Sequence, residues 1–146
     1  MTEHLPATVE HALWHPGPNY AADAVILNDD GQVCLIIRGD NGRPALPGGF
    51  RDVGESDLAA AKREAHEEVG LELNGGEAVF SRPVDDPRNS SDRWIESSAY
   101  LFTAPPLAEL RAGDDAKAAT WHSLEALPDD LYGSHRTMIE NAKDVM

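Results

Sequence analysis

A mixed α/β sandwich of about three layers is the fold class this sequence predicts, and three observations lead there. The chain has 146 residues, room for one compact domain with its own core and too little for two. Its apolar stretches are of two kinds, short strand-like runs closed by turn residues and longer runs with helical spacing. The two kinds interleave along the chain, as expected when helices cover both faces of a sheet.

Residues 1–19 read as an irregular arm, punctuated by Pro6, Pro16 and Pro18, and residues 20–146 as the folded domain. Tyr20–Leu27 and Val33–Arg38 are the first two strands, joined at Asn28-Asp29-Asp30-Gly31, a strong turn sequence. Gly39 to Gly54 is expected to be a Gly- and Pro-rich loop. Ser56 suits the cap of a helix that runs to Val69, and Gly70 suits its stop. Glu77–Arg82 and Arg93–Thr103 follow as strands, with the polar stretch 83–92 between them. Lys117–Trp121 is a further strand and Ser134–Lys143 a closing helix.

Charge narrows the function. Lys and Arg number 12 against 26 Asp and Glu, a formal net charge of −14. Counter-ion-driven nucleic-acid binding needs a basic face and is therefore not expected. An anionic small molecule is admissible if a cation mediates its approach. The lone Cys34 excludes an internal disulfide and a cysteine-based zinc cluster, and in VCLII it reads as a small buried hydrophobe. No apolar run reaches membrane-spanning length and the N-terminus lacks a signal sequence, so the expectation is a cytoplasmic protein.

Chemistry concentrates between Gly49 and Leu71. On a helix, Glu64, Glu67 and Glu68 fall within about 100° of one face, while Leu58, Ala61, Ala65 and Val69 fall on another. Three carboxylates at that spacing repel one another by some tenths of a kcal/mol per pair. A solvated acidic face would be the ordinary explanation. Against it stand Gly48, Gly49 and Gly54, which allow tight turns and close approach of carbonyls to the helix. Hard divalent cations take such oxygen ligands, and Mg²⁺ commonly uses carboxylates together with substrate phosphates.

The stretch matches G-x(5)-E-x(7)-R-E-U-x-E-E-x-G-U at Gly49, Glu55, Arg63, Glu64, Glu67, Glu68 and Gly70, with Ala65 and Leu71 at the aliphatic positions. It thereby resembles the Nudix hydrolases. The resemblance implies the Nudix α/β/α sandwich with a mixed central sheet, and Mg²⁺- or Mn²⁺-dependent cleavage of a nucleoside diphosphate linked to another group. By position, Glu64, Glu67, Glu68 and the carbonyl of Gly48 resemble the family's metal ligands. Glu55 and Arg63 resemble the residues that pin those glutamates. His66, on the far side of the helix from the acids, is expected to be a surface or structural residue.

The segment Val84 to Phe102, with Asp86-Pro87-Arg88 and an Arg-led strand ending in Ala99-Tyr100, is similar to the ADP-ribose pyrophosphatase-like branch. That likeness implies ADP-ribose or a similar nucleotide sugar as substrate, cleaved to AMP and a sugar phosphate. Arg88 and Arg93 could grip phosphate or ribose, or be exposed loop charges. Trp94 and Tyr100 alternate on one strand face with Glu96 and Ser98; core packing is favoured for the rings, and Glu96 is a candidate substrate or metal residue. The resemblance implies a general base from a mobile loop, so a loop acid in Gly113-Asp114-Asp115-Ala116 is expected to serve, Asp115 ahead of Asp114 and Glu96 third. A nucleoside triphosphate pyrophosphohydrolase and a non-catalytic ADP-ribose sensor remain as alternatives, and a homodimer is allowed.

Overall fold

The computed structural model describes residues 16–86, 88–113 and 116–146. Among them run strands β1 (Gly17–Leu27), β2 (Gln32–Arg38), β3 (Pro44–Ala45), β4 (Gly48–Phe50), helix α1 (Asp57–Val69), β5 (Glu77–Pro83), β6 (Arg93–Thr103), β7 (Ala116–Ser123) and helix α2 (His135–Asp144). The strands form one sheet in the order β3-β2-β1-β6-β5, with β4 also paired to β1 and β7 to β2. β1 and β6 are parallel in unbroken register from Gly17↔Arg93 to Leu27↔Thr103, and the other pairings are antiparallel. The sheet is therefore mixed.

Alternation along the strands divides the core in two. Ala22, Ala24 and Ile26 of β1 pack with Ala60, Ala61, Ala65 and Val69 of α1. Their neighbours Val25 and Leu27 pack with Met138, Ile139 and Ala142 of α2. Alanines on both sides of the first interface let α1 lie close to the sheet. The result is the expected α/β/α sandwich.

α1 begins and ends as its sequence dictates. The Ser56 hydroxyl accepts the N–H of Ala59, and Gly70 closes the helix at φ 79°, where its N–H reaches the carbonyl of His66. Three expectations need correction. β1 starts at Gly17 rather than Tyr20, because its first residues borrow a full ladder from β6. The loop expected over 39–54 contains β3 and β4, strands too short to show a period of their own. β7 extends to both sides of Lys117–Trp121. Of the expected arm, residues 1–15 lie outside the described residues.

Candidate active site

β4 lies between β1 and α1. Its register places Gly48 against Asp23, Gly49 against Ala22 and Phe50 against Ala21. The N–H of Gly48 donates to Glu68 Oε1 at 2.8 Å. A Cβ on Gly49 would stand 2.6 Å from a Glu64 carboxylate oxygen, so a side chain there would push the Glu64 carboxylate from its place against the strand.

Arg63 organises the acids around it. Its Nε and Nη2 donate to Glu55 at 2.8 and 3.0 Å, a bidentate pair. Its Nη1 reaches Glu64 at 3.0 Å and Glu67 at 3.2 Å, while Nη2 also donates to the Phe50 carbonyl at 3.1 Å. The Arg63 hydrogen bonds hold the Glu55 carboxyl below the usual carboxylate range. One guanidinium thus ties the loop before α1, the end of β4 and two helix glutamates together.

Burial grades the acidic face. Glu67 is exposed, Glu64 half-buried and Glu68 buried. Burial pushes the Glu68 carboxyl up to about 8, with Glu64 and Asp23 adding to the rise and the Gly48 N–H opposing it. Asp23 is also raised to about 8 by burial, with Arg38 pulling it down and Glu64 pushing it up. As they stand, Glu64 and Glu67 turn to Arg63 and Glu68 to Gly48, so among the described residues no three such side chains already meet at a common metal position. The donor chemistry fits a hard divalent cation nonetheless. Carboxylate oxygens line one helix face, and a cation beside Glu68 would offset the burial that raises its carboxyl by favouring the ionised form. Glu64, Glu67, Glu68 and the Gly48 carbonyl could hold it.

The remaining expected residues are distributed more widely. Arg88 comes up to β4, with its guanidinium 5.6 Å from the Phe50 ring centre and paired to Asp86 at 2.9 and 3.0 Å. Glu96 lies opposite Tyr20 and accepts the Trp94 indole N–H at 3.0 Å. Its strand face is the one turned to α1, since Ser98 donates to Asp57 there at 3.1 Å and Tyr100 packs on the α1 core. Arg93 starts β6 opposite Gly17, about 17 Å of strand rise from the Ala22 level, and pairs with Asp92 at 3.7 Å. His66 faces outward and pairs with Glu72 at 3.2 Å. Asp114 and Asp115 lie outside the described residues, but the N–H of Gly113 donates to the Glu68 carbonyl at 3.0 Å, seating that end of the segment on the last turn of α1.

Several site groups escape sequence reasoning. An open cleft of about 560 Å³ at the start of α1 is lined by Tyr20, Arg51, Val53 and Glu55 among others. Arg51 lies 4.0 Å over the Tyr20 ring and donates to Asp57 at 2.8 Å. Behind β4, the buried His135 accepts the N–H of Leu46 on Nδ1 at 2.9 Å, and its Nε2 stands 3.6 Å from Asp23 Oδ1. Burial lowers the His135 ring to about 3, so it is neutral. The one available signal was Asp23 itself, an acid inside an otherwise apolar strand run.

The family profile described as NUDIX domain matches residues 17–142. An ADP-ribose pyrophosphatase of Methanocaldococcus jannaschii is 38% identical over 129 residues, covering 85% of this chain and 72% of that protein. A Caenorhabditis elegans protein bearing a nudix hydrolase name is 37% identical over 146 residues, covering 88% of this chain; the chain spans 56% of that relative, about half its length. The crystal structure of a MutT NUDIX hydrolase from Burkholderia pseudomallei superposes with a TM-score of 0.75 at 28% identity, covering 86% of this chain and 98% of the other.

Proposed function

This chain belongs to the NUDIX domain family, and from that premise we propose that it hydrolyses the pyrophosphate of ADP-ribose or a closely similar nucleoside diphosphate sugar, yielding AMP and a sugar phosphate. The observation that carries the reading is the seating of Glu64 and Glu68 against Gly49 and Gly48, with Arg63 bracing Glu64 and Glu67. The identity to the archaeal ADP-ribose pyrophosphatase supports the choice of substrate.

Nudix hydrolases generally depend on a divalent cation, and Mg²⁺ or Mn²⁺ here would neutralise phosphoryl charge and acidify water. Glu64, Glu67, Glu68 and the Gly48 carbonyl are the proposed ligands. Arg63, held by Glu55, keeps the two more exposed glutamates in place, since its fork contacts both at once. Arg88, beside Phe50, is proposed to meet phosphate or ribose oxygens, with Glu96 nearer the cleft at Tyr20. Arg93 is left for the distal end of a long substrate. Asp115, or Asp114 beside it, is proposed to take the proton of the attacking water.

A panel assay tests this. ADP-ribose should exceed every canonical deoxynucleoside triphosphate in kcat/KM, with AMP and ribose 5-phosphate as products, and chelator should abolish turnover. Glu68→Gln should cost at least ~10²-fold in kcat. Triphosphates turned to monophosphates with ADP-ribose inert would assign the chain to pool sanitation. Tight ADP-ribose binding without cleavage would make it a sensor.

A further inference from the structure

We propose that His135 is a positioning residue for the metal loop: standing beside Asp23, it fixes segment 46–48 from behind and so determines where Gly48 and Glu68 present their oxygens. The inference rests on the assignment of Gly48 and Glu68 to a metal site.

The segment between β3 and β4 is held by three elements at once. Leu46 donates its N–H to His135 of α2, Ala24 of β1 donates to the Pro47 carbonyl at 2.8 Å, and Gly48 donates to Glu68 of α1. Leu46 is buried and belongs to neither short strand, so its N–H depends on a side chain 89 positions away. A buried backbone donor needs such a partner. Because Nδ1 accepts, the ring proton sits on Nε2, the nitrogen that faces Asp23. Asp23 is in cross-strand register with Gly48, and its carboxylate occupies the space that a Cβ on Gly48 would need. Histidine and aspartate are therefore stacked directly behind the residue whose front meets Glu68.

Packing alone does not call for this pair. An apolar side chain would fill the same buried volume but leave the Leu46 N–H without an acceptor and nothing polar facing Asp23. Imidazole supplies the acceptor for the Leu46 N–H and turns its own N–H towards Asp23, as residues that hold metal ligands in place from behind commonly do.

Mn²⁺ binding to the substrate-free protein, followed by the electron paramagnetic resonance of free Mn²⁺, separates positioning from folding. His135→Leu should weaken Mn²⁺ binding about 10–100-fold while still melting cooperatively. His135→Asn, whose Oδ1 can accept from Leu46, should recover most of the loss. A cooperatively folded His135→Leu protein with wild-type Mn²⁺ affinity overturns the proposal. If that variant does not fold, the wild type decides: the His135 Nδ1 and Leu46 amide nitrogen resonances should shift on titration with Mg²⁺, and unmoved resonances at saturation overturn it. A wild type that binds no Mn²⁺ instead sinks the metal assignment itself.

Discussion

Asp23 and Glu68 are carboxyls whose folded pKa stands near 8, well above the value of an exposed acid. Folding then favours the protonated forms, so their contribution is full below the unfolded pKa and is lost as pH rises through about 8. His135, lowered to about 3, works in the opposite sense but only below about 6.5. Between pH 6.5 and 8 the two carboxyls therefore act without it. The Tm of metal-free protein should fall across that window, and Glu68→Gln should flatten the fall while raising the Tm at pH 8. A flat wild-type profile in the presence of chelator would contradict this. Glu64, Glu67, Glu68 and Arg63 are legible in the sequence because helix geometry is local and their spacing survives folding, and Glu55 because the motif fixes its distance from them. Asp23 and His135 are not, since they meet only when α2 closes on the far face of the sheet.

At the scale of elements, α1 is the part of the fold most completely written in its own residues. Cap, apolar stripe and left-handed stop all agree with the helix observed. Ser56→Ala should cost about 1 kcal/mol by urea denaturation, the usual effect of losing an N-cap acceptor. An unchanged midpoint would mean that Arg63 and its partners hold this end without the cap. β6 was equally legible, Arg93–Thr103 being long enough for its alternation to show. β3 and β4 were not, because strands of two and three residues are specified by the neighbours that pair with them. The substrate residues share that difficulty. Arg88 sits near β4 through the course of a loop, and Arg93 stands well down the strand from the glutamates; neither distance is set by local sequence.

The whole molecule carries a net charge of −14 and is proposed to receive an anion. At about 0.01 M salt the screening length is roughly 30 Å, so the approaching substrate feels most of that repulsion; at 0.15 M it is about 8 Å. With divalent cation saturating, kcat/KM for ADP-ribose should rise as KCl goes from about 10 to 150 mM. A fall would reveal a locally positive approach path that the overall charge conceals. The parallel ladder of β1 and β6 has a consequence in time. β2, β3, β4, α1 and β5 all lie between them in sequence, so a chain emerging at about 5–20 residues per second exposes one edge of β1 for some seconds before its partner exists. That edge includes Ala24-Val25-Ile26-Leu27, a run well suited to stacking with the same run of another nascent chain. Asp23 directly precedes it. In the newborn, water-filled state its carboxylate is ionised and works as a gatekeeper against aggregation, before the finished domain shuts it away behind Gly48.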